Sequence, residues 1–194
     1  MKLLLHTCCG PCLTAPAHAL LSEGITFTPY FFNPNIMPYR EFRARLKSFM
    51  DLGRAMSLDV LADEQYSLEP ALRALLDTNG FPRCLACYRL RLDQTASLAA
   101  QKGFDAFSTT LSVSPFQSHD LIQKAGQESA MHFGVPFHYV DWRPVFQQGH
   151  ARAVELGLYM QTWCGCVFSE EERYRSGARK KAARLRKLQP GGTA

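Results

Sequence analysis

The chemistry legible in this chain is carried by its cysteines, which stand in three tight groups. Cys8, Cys9 and Cys12 lie in CCGPC, Cys84 and Cys87 in CLAC, and Cys164 and Cys166 in CGC; together they are all seven cysteines of the 194 residues. Thiols kept only for packing would scatter. Two or three thiols within a few residues can reach one soft metal ion or cluster without long-range rearrangement of the backbone. The pattern therefore points to an iron–sulfur or zinc site assembled from three loops. Disulfides fit poorly. The count is odd, and Met1–Leu5 is too short for the apolar core of a secretory signal, so a reducing cytoplasm is the expected compartment. A closed zinc site takes four ligands, and seven thiols are too many for one such site and too few for two all-cysteine ones. A thioredoxin-like pair needs one CxxC at a helix start and leaves CGC unexplained. Seven thiols suit a four-thiolate cluster with spare thiols, or a cluster with one iron left open, beside a second metal.

Composition bounds the setting of that site. The hydrophobic content of 46 % is ordinary for a soluble globular domain, and no run approaches the roughly 18 apolar residues of a membrane span. The net charge of +5 is concentrated at one end. From Arg173 onward stand eight basic residues (Arg173, Arg175, Arg179, Lys180, Lys181, Arg184, Arg186 and Lys187) and no acid, while the remainder of the chain is net acidic. The expected organisation is one domain over residues 1–174 and a basic, partly helical tail over 175–194. Such an arm is an electrostatic footprint for nucleic acid, against the alternative of a merely solvated helix end.

Strands and helices alternate along the domain. Apolar runs predict strands at Lys2–His6, Ile25–Phe32 (weakened by Pro29), Leu58–Ala62, Ala106–Leu111 and Phe137–Val140. Helical spacing is expected at Thr14–Leu21, Tyr39–Met56, Leu68–Thr78, Cys87–Lys102 and Asp120–Phe133. The clearest is Tyr39–Met56, with Phe42, Leu46, Phe49, Leu52 and Met56 at three- and four-residue steps. The fold class is α/β, a parallel sheet of about five strands flanked by helices. Ligands of such sheets gather beyond the carboxyl ends of the strands. HTCCGPC occupies the place of a glycine-rich phosphate loop with thiols instead of glycines, which disfavours nucleotide binding.

The segments HTCCGPC, YFFNPNI, CLACYRLRL, STTLSVSP, VDWRP and YMQTWCGCVFSEEER resemble, in order, the motifs of the QueH-type epoxyqueuosine reductases, over about residues 2–174. That resemblance implies a Rossmann-like fold of the nucleotide-hydrolase (HUP) kind, a [4Fe-4S] cluster with an adjacent iron or other divalent ion, and no cobalamin. It also implies the reaction: reductive removal of the epoxide oxygen of epoxyqueuosine at the wobble position of tRNA, with an electron donor still to be identified. Removing that oxygen takes two electrons and two protons, which no side chain supplies, so a metal cofactor must carry the redox work.

Roles for single residues follow from that chemistry. All seven cysteines are candidate cofactor and metal ligands, with no division between cluster and second ion. Asp141, at a strand end, is the candidate carboxylate ligand, or alternatively a cap or ion-pair partner of Arg143. His6 is a candidate proton donor or a buried structural histidine. Asn33 and Asn35 are candidates to bind the cyclopentene diol, Arg89 and Arg91 to meet the tRNA backbone, and Arg143 to contact substrate. Tyr39, Tyr88 and Trp163 are stacking candidates that core packing explains as well. His18, His119, His132, His138 and His150 show no metal spacing. Two other functions compete: a zinc-knuckle nucleic-acid-binding protein without catalysis, and a tRNA sulfur-transfer enzyme.

Overall fold

The structure, a computed structural model, describes residues 1–78, 80, 82–175 and 177. Its centre is the short apolar strand β1 (Lys2–His6), which pairs in parallel with β2 (Thr26–Phe31) on one side and β4 (Ala106–Thr109) on the other. β3 (Leu61–Ala62) pairs with β2, so the sheet order is β3-β2-β1-β4. Helices α1 (Gly10–Ser22), α2 (Tyr39–Ala55), α3 (Leu68–Leu76), α4 (Arg83–Gln101), α5 (His119–Phe133) and α6 (Phe146–Glu155) connect and cover the strands. A 3₁₀ turn, Thr110–Val113, leaves β4.

Because helices lie on both faces, β1 reads as an uninterrupted apolar run, and Leu3, Leu4 and Leu5 are fully buried. Alternation along the strand sends Leu3 and Leu5 into one core with Leu13 and Leu20 of α1 and Phe42, Leu46, Phe49 and Leu52 of α2. Leu4 points the other way, into a core with Leu85, Leu92 and Ala96 of α4 and Ile122 and Ala125 of α5. Each such leucine stabilises the fold by about 1.5–3 kcal/mol through its burial. His6 is two residues beyond Leu4 and shares its face.

Pro29 is tolerated for a definite reason. Thr7 N–H donates to Tyr30 O and Asp63 N–H to Phe31 O, so alternate residues of β2 face β1 and β3. Pro29 shares Phe31's side, and β3 pairs only at Tyr30 and Phe31. The missing N–H therefore falls on an edge.

The sheet corrects the expectation of about five strands to four. Residues 137–140 make one isolated parallel bridge, Phe137 to Phe107. Phe107 N–H bonds Pro136 O and His138 N–H bonds Phe107 O, and the chain then leaves the ladder, with Tyr139 OH hydrogen-bonded to His119. The third strand is shorter than the expected Leu58–Ala62, and α4 begins at Arg83, earlier than Cys87. Only Arg175 and Gly177 of the expected tail are among the described residues; the remainder of the helical expectation for 175–194 lies outside them. Among the described residues no helix is long and apolar enough to cross a membrane.

Candidate metal centre

In the order β3-β2-β1-β4 the chain moves outward in one direction and then returns to the other side of β1. Ligand sites of open sheets form at that switch, beyond the carboxyl ends of β1 and β4. Cys8 and Cys9 follow β1 directly. Cys8 is tied to the end of β4: its N–H lies 3.4 Å from Thr110 Oγ1, and that hydroxyl lies 3.8 Å from Cys8 Sγ. Cys9 is the N-cap of α1 and Cys12 sits in its first turn, so all three thiols are carried by the strand end and helix start. Gly10 between them is required by packing, since a Cβ there would lie 2.4 Å from Ser48 O of α2.

The Cys8, Cys9 and Cys12 sulfurs all lie within 4.8 Å of one another, with Cys8 and Cys9 3.7 Å apart. Two thiolates bound tetrahedrally at about 2.3 Å stand about 3.8 Å apart, so this spacing suits one chelated ion. Hydrogen bonds from the Cys12 and Cys9 thiols hold Cys8 well below the usual thiol range. Burial pushes Cys9 up, and the hydrogen bonds of Cys12 to Cys8 and then to Cys9 push Cys12 up. Without a cation the triad thus favours a single thiolate, and a bound metal would release the remaining protons.

The other four thiols stand in two pairs. Cys84 and Cys87 lie in the first turns of α4, and Cys164 and Cys166 precede a helical stretch at residues 167–175. Cys166 caps that stretch: Ser169 N–H reaches its sulfur at 3.4 Å and its carbonyl at 3.1 Å. Cys164 Sγ lies 3.9 Å from Cys166 Sγ and 2.9 Å from Ser169 Oγ. These contacts, Cys166 first, lower Cys164 to about 5 despite its burial. Burial raises Cys84 and Cys87, and the charge of Cys164 acts on both. The sequence suggested three loops; all three groups instead stand at helix N-termini. Free N–H groups and the positive end of the helix dipole favour anionic sulfur there. All seven cysteines are free.

Two buried arginines stand beside these thiols, of which the sequence offered Arg91 as a contact to the tRNA backbone. Arg45 of α2 is 1 % exposed. Its Nε donates to Glu41 Oε1 at 2.7 Å, and its two terminal nitrogens donate to Trp163 O at 2.8 Å and Cys164 O at 3.2 Å. Arg91 of α4 is 3 % exposed, and donates to Cys87 O at 3.1 Å and Cys87 Sγ at 3.2 Å. Gln161 Nε2 lies 3.2 Å from Cys12 Sγ, so the strand of chain leading to CGC also touches the first triad. The central glycine of CGC has φ 106°, and a Cβ there would meet Ile36 at 2.9 Å and Arg45 at 3.2 Å. Gly165→Ala is expected to destabilise by about 2 kcal/mol or more through backbone strain and crowding. Thermal unfolding and metal analysis of the same preparation will show both values fall together.

The remaining sequence candidates are placed as follows. His6 is fully buried, with Nδ1 2.9 Å from Thr109 Oγ1 and Nε2 3.2 Å from Phe32 O. Both ring nitrogens are thereby engaged, and burial, then the charge of Arg91, lowers its pKa to about 3, so the ring is neutral. Asn33 donates to Thr7 O at 2.9 Å, while its Oδ1 and both amide atoms of Asn35 are buried with no protein partner. Asn33 lines a cleft of about 210 Å³ with Phe32, Asp63, Gln65, Ser67 and Leu90. Arg89 pairs with Glu128 at 2.7 Å and ties α4 to α5. Asp141 is half-exposed and bonds Arg143 at 2.5 and 2.9 Å, which holds its carboxyl down at about 2. His119 lies 3.9 Å from it, and no thiol is among its hydrogen-bond or ion-pair partners. Tyr88 is buried and donates to Gln117, Tyr39 is exposed, and Trp163 lies under Arg45.

The model of the epoxyqueuosine reductase QueH family matches residues 3–172. The chain belongs to that family. It is 34 % identical over 173 residues to epoxyqueuosine reductase QueH of Dehalococcoides mccartyi, covering 89 % of this chain and 94 % of that one. It is 35 % identical over 180 residues to the QueH of Thermotoga maritima, covering 88 % and 91 %. QueH proteins are oxidoreductases of queuosine biosynthesis, and this chain is one of them by membership. Among solved structures, a deacetylase of teicoplanin biosynthesis is similar with a TM-score of 0.49 and 12 % identity, over 80 % of this chain and 83 % of that one. The QueH match spans all seven cysteines, Arg45 and Arg91, and stops before the basic run from Arg173.

Proposed function

We propose that this QueH protein reduces the epoxide of epoxyqueuosine in tRNA to the cyclopentene of queuosine, with a [4Fe-4S] cluster and a second iron held by its thiols. The observation that carries the reading is the cluster of Cys8, Cys9 and Cys12 sulfurs at the switch point of the sheet, with four further free thiols carried at two other helix starts. The donor set fits the cofactors. Cys8, Cys9 and Cys12 are close enough to chelate one ion while leaving a fourth position open, and Cys84, Cys87, Cys164 and Cys166 would supply four thiolates to a cluster. Bound there, the metals would supply single electrons and a Lewis acid for oxygen.

The protein's own part is positioning. Two electrons and two protons convert the epoxide to an alkene and water. Thr110 and Gln161 fix the first triad from two sides, and His6 with Thr109 locks the ends of β1 and β4 beneath it. The unpartnered Asn33 Oδ1 and the Asn35 amide are suited to a diol, since buried polar atoms seek hydrogen bonds. A reducing cytoplasm is the compartment such thiolates require. Zinc is the competing metal for the triad. Anaerobically purified protein with iron and acid-labile sulfide supports the proposal; colourless protein with stoichiometric zinc opposes it.

The basic tail would serve affinity for tRNA. Removing residues 175–194 deletes seven basic residues and no acid. If three or four of them touch phosphates, the slope of log affinity against log salt becomes shallower by roughly 2 to 4. Turnover at low tRNA is expected to fall more than turnover at saturation, because the loss is of uniform binding. An unchanged salt slope would remove the tail from the RNA footprint.

A further inference from the structure

We infer that Arg91 is the positioning cation of the thiol site, a buried positive charge that stabilises the reduced state of the metal group held beside it. The inference rests on the proposed function and goes beyond it. The two buried arginines differ in one respect. Arg45 has Glu41 at 2.7 Å as a carboxylate partner, itself buried and bonded by Tyr159. For Arg91, among the described residues, no carboxylate lies within ion-pair distance. A guanidinium stays charged in any protein, and a buried charge without a counterion costs several kcal/mol. Something anionic must therefore stand beside it. Among the described residues the group in direct contact is a sulfur: Cys87 Sγ accepts from Nη2 at 3.2 Å, and the charges of Cys87, Tyr88, Cys8 and Cys164 act on the guanidinium. Arg91 thus contacts a thiol of CLAC directly, while its guanidinium lies 5.6 Å from the Tyr88 ring.

This arrangement is suited to a thiolate-held group whose charge becomes more negative on reduction. Hydrogen bonds to ligating sulfur and net nearby charge are two of the main settings of an iron–sulfur potential. A cation beside Cys87 favours the added electron, so its removal must make the potential more negative. The helix contributes by geometry: Arg91 is one turn beyond Cys87 on α4, and its Nε bond to Cys87 O fixes the guanidinium against the sulfur.

The test is an anaerobic potentiometric titration of the full-length holoprotein, with iron and sulfide measured on each sample. Arg91→Met is expected to lower the midpoint potential by at least one decade in the reduction equilibrium, 59 mV for one electron. Arg91→Lys keeps the charge and is expected to recover most of that shift. Failure of the Met variant to load, with normal loading of the Lys variant, supports the same charge requirement. A fully loaded Met variant at the wild-type potential overturns the inference. So does a Lys variant shifted as far as Met, or a loss of loading in both, since either would assign the effect to the shape of arginine. Wild-type protein without an iron–sulfur signal overturns the proposed function and this inference together.

Discussion

Serine at Cys84, Cys87, Cys164 or Cys166 will remove the brown chromophore and lower thermal stability, whereas serine at Cys8, Cys9 or Cys12 will leave the chromophore and abolish turnover. The division follows from the two groups. The first triad holds its sulfurs within 4.8 Å, the spacing of ligands on one ion. The second group spans two helix starts that meet through side chains: Arg83 of α4 pairs with Glu172 at 3.0 Å and stacks on Phe168 at 4.1 Å. A metal group bound across those helices adds its binding free energy to folding, so losing a ligand there loosens the fold. In the first triad β1 and α1 are already fixed by the sheet and by Gly10 against α2, and a lost ligand costs an ion and the reaction. Iron content, visible absorption and Tm of the seven variants test this. Identical behaviour of all seven, or loss of colour from the first triad with retention in the second, would contradict it.

Glu41→Gln will destabilise the protein by about 3–5 kcal/mol, the cost of leaving one member of a buried ion pair uncompensated. Glu41 is 6 % exposed, and its two oxygens accept from Arg45 Nε and from Tyr159 OH. The substitution keeps the shape and removes the charge, so Arg45 is left as a buried cation. In a chain of this length each kcal/mol is worth about 2–4 °C in Tm, so a fall of roughly 10 °C is expected. Arg45 also holds the carbonyls of Trp163 and Cys164, so metal content should fall with stability. Adding Arg45→Met should recover part of the loss, because the pair is removed rather than broken. A Tm equal to wild type in the single variant would show that Glu41 does not carry the charge of Arg45.

Much of the fold was legible because burial and periodicity agree. The run Leu3–Leu5 had to be a strand covered on both faces, and the α2 stripe of Phe42, Leu46, Phe49 and Leu52 emerged as drawn. The fifth strand failed because apolar residues at 137–140 satisfy a strand pattern whether or not a partner ladder continues. The start of α4 was missed since CLAC looked like a metal loop, although Leu85, Tyr88, Leu92 and Ala96 already keep helical steps. The cysteines were visible at once as a group; their attachment to helix starts was not. Arg45 and Arg91 escaped because arginine is by default a surface residue. Yet Arg45 lies between Phe42 and Phe49 on the buried stripe, and Arg91 between Tyr88 and Leu92. Read by face rather than by residue type, both positions pointed inward. The roles expected of His6 and Asp141 met neighbours that no spacing announces, Thr109 and Phe32 for one and Arg143 for the other.

A single anaerobic incubation tests the proposed reaction most directly. Protein loaded with iron and sulfide is mixed with tRNA carrying epoxyqueuosine and a strong reductant, and the digested nucleosides are resolved by mass. Conversion of epoxyqueuosine to queuosine, a product lighter by one oxygen, is expected, and none when any one of Cys8, Cys9 and Cys12 is replaced by serine. Unchanged epoxyqueuosine with fully loaded wild-type protein would contradict it.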